Sequence, residues 1–545
     1  MKKVVFFIGM LLLVFSVKAQ NIEMVKDINP SGSSSPSWMK VASYNSGLQF
    51  VSKLFFNADN GVNGKELWVT DGTSAGTTMI KDINPSGNSS PYRFFSVGIG
   101  LSQRVIFLAN DGTNGTELWT TNGTAGGTNM VKNIYTGALQ NVEITCLFSN
   151  LFKVYFNADD GVNGREIWVT DGTSAGTNMI KDINPGSSSS TPSNFILYNN
   201  KLYFVADDGT SGTELWCTDG TEAGTTFVKD INPGSGSAFN SSTISSFYGE
   251  VYNNKLYFTA NNGTSGTELW VTDGTTSGTT MIKNINASGD SNPQNYTEFN
   301  GKLYFAATDD IYGRQLWCTD GTTAGTQRIT NWFVANYPIY NLTVFNDQLY
   351  FYAADSTHNL EPWISDGTTT GTSMIKDINL SGPSLPYAMP FTEYNGYLYF
   401  APYTTNGYEL YRTDGTETGT TLLAPSIAPN TSPLDNSTAV VFNGSLYFLA
   451  NFDSNGAELW KLTDSTTNVV FEQMSNTNLY PNPATDILHV TLKEQDNVLI
   501  YNMIGINVMS FESHENEPVD ISHLPAGSYV LVSAKNNYRK SFIKL

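Results

Sequence analysis

The sequence predicts an all-β protein: a β-propeller of nine four-stranded blades, with eight as the alternative count, followed by a small β-sandwich domain. Three observations lead there. A Glu-Leu-Trp-x-Thr-Asp-Gly-Thr string recurs along most of the 545 residues. Its Trp falls at Trp68, Trp119, Trp168, Trp216, Trp270, Trp317, Trp363 and Trp460, with Tyr411 standing in once, at intervals of 46 to 54 residues, close to the period of about 40–50 that propeller blades show. Each interval holds short runs of β-branched and aromatic residues, and no apolar pattern at i, i+3, i+4 lasts long enough for a helix.

The unit around Trp216 shows the four strands in order. Phe195-Ile196-Leu197-Tyr198 reads as the first, Leu202 to Ala206 as the second, Glu214 to Thr218 as the third and Thr226 to Ile231 as the fourth. Asn199-Asn200 between the first two strands, like Asn300-Gly301, Asn395-Gly396 and Asn443-Gly444 in other copies, supplies residues that accept the positive φ of a tight hairpin turn. The second strand is apolar on both faces, as a sheet packed between two neighbours requires. One unit cannot fold alone. Its backbone entropy is on the order of 50–100 kcal/mol, whereas a dozen large apolar side chains return about 1.5–3 kcal/mol each. Face-to-face stacking around an axis resolves this.

The two ends of the repeat region predict a closed ring. Met24-Val25-Lys26-Asp27-Ile28-Asn29-Pro30 matches the fourth strand of a unit, comparing Met79 to Pro85, without the three that should precede it. The ninth copy lacks a clear fourth strand, so the first strand of the chain is expected to complete the last sheet; Val469-Val470-Phe471 is the alternative occupant. The repeat resembles the bacterial family named for its E-L-W-x-x-D-G-T motif, over residues 21–472. That resemblance implies a repeat architecture and an exported location, and no assigned reaction.

The period stops there. Residues 473–478 read as a polar linker, and residues 479–545 as a small domain of alternating strands entered through Tyr480-Pro481-Asn482-Pro483-Ala484, with Leu524-Pro525-Ala526-Gly527 as a turn. This segment resembles the C-terminal sorting domain of type IX secretion system cargo in Bacteroidetes. The matching positions include Tyr480, Pro481, Asn482, Pro483, Gly505, Gly527 and Tyr529; Ile506 departs from the basic residue often found after the glycine. The resemblance implies the secretion machinery as a partner, passage across the outer membrane, and release or surface attachment.

At the other end, Lys2 and Lys3, an apolar run from Val4 to Val17 and Val-Lys-Ala-Gln give residues 1–19 the layout of a signal peptide, cut after Ala19. The run is shorter than the roughly 20 residues a bilayer requires, and no later stretch could span a membrane. Net charge is −20, which repels nucleic acid and anionic lipid. Cys217 and Cys318 stand where other copies place Val69, Val169, Val271 and Ile364, so they read as small buried residues with no bridge between them.

The expected chemistry is modest. A Trp at one strand position in every unit reads as packing between blades, whereas Trp38 and Trp332 lie off this register and are the better candidates for exposed contacts. The Asp of Thr-Asp-Gly-Thr could ligate Ca²⁺, but Asn122 replaces it once, which favours turn capping. His358 is the only histidine in the repeat region, so neither a histidine metal cluster nor a Ser-His-Asp triad is expected. Irregular segments run from Tyr135 to Thr145 and from Asn331 to Tyr340, and of the two only the first holds an acid, Glu143. The expectation is a secreted or cell-surface, non-enzymatic binding or adhesion propeller with a glycan or protein ligand and no cofactor. The rivals are an exported polysaccharide hydrolase and a structural scaffold with Ca-stabilised turns.

Overall fold

The computed structural model describes residues 19–46, 49–98, 103–135, 147–150, 153–239, 249–332, 338–384, 389–427, 439–465, 479–480, 483–490, 496–502, 507–513, 518–533 and 538–545. Residues 1–18, the predicted linker, Val469 to Phe471, Glu143, Cys146, Pro481, Asn482 and Gly505 lie outside them. The chain divides into two compact units, one spanning Gln20–Asp464 and one holding Ser465–Leu545.

The larger unit is a propeller of nine sheets. Strands Ser37–Ser46, Gln49–Asp59, Lys65–Thr70 and Thr78–Lys81 form the first, hydrogen-bonded in chain order. The same order recurs in sheets that begin at Tyr92, Leu147, Ser193, Gly249, Gln294, Tyr340 and Met389, the last with a fifth short strand, Tyr403–Thr404, also paired to Gly407–Thr413. In the unit around Trp216 the strands are Ser193–Tyr198, Lys201–Asp207, Thr213–Thr218 and Thr226–Lys229, within two or three residues of the sequence reading. The hairpin turns behave as their residues require: Asn199 and Asn200 sit at φ 48° and 60°, Asn443 and Gly444 at 46° and 72°.

Nine blades, not eight, close the ring, because Ala19–Lys26 joins Glu458–Ser465 as the fourth strand of the last sheet. That position is therefore filled by the beginning of the repeat region. Each sheet touches the next, and the last touches the first, with consecutive first strands among the closest elements. Sheets that fan out from an axis approach one another most nearly at their inner edges, so the first strand of each blade is the inner one and the fourth lies at the rim.

The core is a set of interfaces rather than one centre. The cluster between the third and fourth blades holds Tyr155, Ile167 and Val169 from one side and Leu202, Phe204, Ala206 and Trp216 from the other. Equivalent clusters recur around the ring, the closing one joining Tyr447, Leu459, Val25 and Ile28 to Leu54, Phe56 and Trp68. Leu202 to Ala206 is buried throughout, the two-faced burial expected of a strand sandwiched between neighbours. One glycine requirement also crosses blades: at Gly321, φ 95°, a Cβ would lie 2.4 Å from the Tyr257 hydroxyl of the preceding blade.

The smaller unit is a sandwich of two sheets, one ordered Leu479–Tyr480, Ile487–Val490, Pro518–Asp520 and the other Asn507–Ser513, Asp496–Asn502, Gly527–Ser533, Tyr538–Lys544. Leu488, Val490 and Val519 from the first sheet meet Val498, Ile500, Leu531 and Phe542 from the second.

Candidate functional site

The eight repeated tryptophans are all buried, none more than 8% exposed. Each lies against the blade before it, so both ring faces are occupied by protein. Over five of them, Trp68, Trp119, Trp168, Trp216 and Trp317, a lysine from the fourth strand of that preceding blade completes the contact. Lys81 Nζ sits 5.7 Å from the Trp119 ring and donates to the Thr128 carbonyl at 2.7 Å; Lys132 repeats this over Trp168 and Lys181 over Trp216. A partly desolvated cation on an indole face is an attraction of about 0.5–2 kcal/mol, repeated here as a blade-to-blade tie.

The glutamate beside each tryptophan does something the repeat alone did not reveal. Glu166 is fully buried. It accepts hydrogen bonds from the Ile183 amide at 2.9 Å, the Ser190 amide at 2.9 Å and the Ser190 hydroxyl at 2.5 Å. Glu66 holds Ile83 and Ser89 in the same way. The carboxylate thus clamps the segment that leaves one blade for the next, satisfying backbone donors that would otherwise be buried unpaired. Burial pushes the carboxyls of Glu117, Glu166, Glu214, Glu268 and Glu361 up to about 7, against the hydrogen bonds that hold them down. A proton can be accommodated: the Ser190 hydroxyl lies 3.4 Å from the Arg165 carbonyl and can turn to it while accepting from a protonated Glu166. In the sixth blade Gln315 replaces the acid, accepting from the Trp332 amide and donating to its carbonyl. The sequence signal was there in the constant spacing of 23 or 24 residues from glutamate to serine.

The Thr-Asp-Gly-Thr turn caps itself. Asp171 Oδ1 accepts from the Thr173 amide at 2.8 Å and its hydroxyl at 2.7 Å, and the Thr170 and Thr177 hydroxyls meet at 2.6 Å. Asn122 makes the same two bonds to Thr124. For Asp71, burial acts to raise the pKa, but the Thr73 bonds and Lys53 outweigh it and hold the carboxyl at about 2. Among the described residues no three His, Cys, Asp or Glu side chains gather to hold a metal ion.

Trp332 and Trp38 differ from each other. Trp332 is half-buried, 4.2 Å from the Trp363 ring, and its backbone occupies the clamp position opposite Gln315. Trp38 is half-buried at the inner strand of the first blade, its ring 5.4 Å from Tyr92 of the second. Cys217 and Cys318 are free thiols, both buried. His358 Nδ1 lies 3.0 Å from Asp355, which raises its pKa.

Alternation of antiparallel strands divides the disc into two faces. One carries the turns between first and second strands and the Thr-Asp-Gly-Thr turns. The other carries the loops between second and third strands and the connections to the next blade, where Val62, Val162, Ile311 and Leu380 are exposed. In the smaller unit, Tyr480 pairs with His489, Pro483 is exposed, Gly527 pairs with Lys544, and the Tyr529 hydroxyl donates to the Pro525 carbonyl at 2.7 Å while its ring stacks on Phe542. Ala19 is the first residue of the closing strand.

Residues 478–545 match the secretion system C-terminal sorting domain. The domain is of the type IX kind and marks an exported protein, secreted or attached to the cell surface. No curated protein matches the chain. Among solved structures it is similar to a puromycin hydrolase, with 13% identity over 69% of this chain and 60% of that one and a TM-score of 0.36. It is also similar to a prolyl endopeptidase, with 10% identity over 79% and 53% and a TM-score of 0.38. A third is TolB from Acinetobacter baumannii, with 13% identity over 62% and 81% and a TM-score of 0.27. The chain spans 60% of that puromycin hydrolase and 53% of that endopeptidase. Among the described residues no helix is long and apolar enough to cross a membrane.

Proposed function

We propose that this exported chain is a non-enzymatic binding or adhesion propeller of a Bacteroidetes cell surface, delivered through a signal peptide and the type IX machinery, with its repeats belonging to the E-L-W-x-x-D-G-T family. The observation that carries the reading is the commitment of the repeated polar side chains to the scaffold. Glu166 and its equivalents hold blade connections, Asp171 and its equivalents cap turns, and the lysines tie blade to blade. What varies from blade to blade is chiefly the inner strand and the stretch that leads into it, while the turns and connections repeat, and variable segments on a rigid frame are where proteins place recognition. The ligand class is a glycan or a protein.

The test is a glycan array probed with the purified full chain, with and without Ca²⁺. Selective retention is the expected result. Release of shortened oligosaccharides would replace this reading with a hydrolase, and retention that needs Ca²⁺ would restore the metal-stabilised turns.

A further inference from the structure

Six inner strands share one irregularity. Their pairing with the second strand shifts between Ser37 and Lys40, Tyr92 and Phe95, Ser193 and Ile196, Gln294 and Thr297, Tyr340 and Thr343, and Met389 and Thr392. In each, two residues face one partner, a β-bulge that re-aims side chains at the edge of a sheet. The first bulged residue is left-handed in five of the six, and in three it is asparagine: Asn194 at φ 60°, Asn295 at 58° and Asn341 at 54°. Asparagine tolerates that region. The first two blades place Trp38 at φ 58° and Arg93 at 57° instead, bulky residues for which the conformation costs about 1–2 kcal/mol. The backbone does not require them, since asparagine does the same work three times.

The two exceptions are neighbours. Trp38 and Tyr92 meet at 5.4 Å with a 51° tilt, both half-buried, and Arg93 follows Tyr92 directly. Arg93 is half-buried and, among the described residues, its guanidinium has no hydrogen bond or ion pair. Arg314 shows the contrast: its guanidinium donates to the Asn292 carbonyl and to Gln294. A half-buried guanidinium that no protein group engages and that still reaches solvent is free to take an anionic acceptor, best of all the two oxygens of a carboxylate. The Trp38–Tyr92 pair, one residue away along the chain, offers a flat apolar surface with polar edges.

We infer that Trp38, Tyr92 and Arg93 form a binding site at the inner edge of the first two blades for an acidic glycan, one whose pyranose rings carry carboxylates, that is, a polyuronate. The apolar face of the sugar lies on the aromatic pair and the carboxylate takes the Arg93 fork. This rests on the binding reading above and narrows its ligand. The strongly acidic chain repels polyanions in general, but at physiological salt that repulsion is screened beyond about 8 Å, so recognition falls to this local pair.

The test uses the full chain in affinity electrophoresis through gels containing polygalacturonate, laminarin as a neutral glucan, or dextran sulfate. Arg93→Asn and Trp38→Asn are the informative variants, because asparagine keeps the bulge. Retardation by polygalacturonate alone is expected, weakened about tenfold or more by either variant, as loss of a charged hydrogen-bonded pair implies, with thermal midpoints unchanged or raised. Equal retardation of variants and wild type, no retardation by polygalacturonate, or stronger retardation by dextran sulfate overturns it. Laminarin binding that both variants keep would leave the protein a glycan binder and this site refuted.

Discussion

Glu458 holds Ser34 across 424 positions of sequence, accepting its amide at 2.9 Å and its hydroxyl at 2.5 Å. It is the same clamp by which Glu66 holds Ser89 within 23 positions. The ring is therefore closed by an ordinary blade junction whose two halves come from opposite ends of the repeat region, with the Ile28 amide as the third donor.

Replacing Glu458 by alanine should leave those buried donors unpaired, at about 1–3 kcal/mol for each group stranded. The expected outcome is a loss of about 3 kcal/mol or more in urea unfolding and early proteolytic release of the N-terminal segment. Glu458→Gln should lose much less, since Gln315 fills the equivalent position in the sixth blade. Equal losses for both variants would show that charge, not hydrogen bonding, closes the ring.

Stability should fall as pH rises through neutrality. Five clamp glutamates are lifted from the ordinary 4.5 to about 7 by burial. Between those values the folded chain holds protons that the unfolded chain has released, so their contribution is full below about 4.5 and is lost through 7, at no more than about 1.4 kcal/mol per pH unit per group. The turn aspartates act oppositely. With Asp71 at about 2 and Asp171 lowered, their contribution is present above about 4 and lost as pH falls. Thermal midpoints measured from pH 3 to 9 should peak on the acid side of neutrality, and Glu214→Gln should flatten the alkaline limb.

The Thr-Asp-Gly-Thr turn separates capping from charge. Asp171→Ala removes two acceptor contacts to Thr173 and should cost about 1 kcal/mol, whereas Asp171→Asn should be nearly neutral, because Asn122 already makes that pair of bonds. Chemical denaturation of the two variants in EDTA gives the comparison directly.

Deleting residues 20–26 should bare the edge of Glu458–Ser465, a strand otherwise paired by Ala19–Lys26. Unpaired edges recruit other chains, so light scattering after size exclusion should show dimers or larger species. A synthetic peptide of those residues should return the protein to monomer.

Much of this was legible from the residues and some of it was not, for definable reasons. Blade number and the closing strand could be read because Trp216 and its equivalents mark a fixed period and Met24 to Pro30 copies Met79 to Pro85. The Asn-Gly turns announced themselves through φ. Glu166 was visible as a repeated letter, but its partners Ile183 and Ser190 lie 17 and 24 residues away, beyond any local pattern. Trp332 looked off-register because it stands in the blade connection, 17 residues after Gln315, where other blades place Ile83, Ile183 or Ile231 after their glutamates. The bulges at Trp38 and Arg93 were hidden because strand register depends on pairing, and asparagine at Asn194 signals a turn as readily as a bulge.

Ala19–Lys26 is made hundreds of residues before the strand it pairs with, and Ile28 reaches its glutamate over a separation of 430 positions. Every other blade is assembled from strands adjacent in the chain and needs only a neighbouring blade to stack on. The last one waits for nearly the whole polypeptide, and such distant pairings are slow to find. Any factor that engages the protein during synthesis or transit therefore meets a C-shaped stack with a sticky gap, and the completed disc exists only after the two tips have found each other.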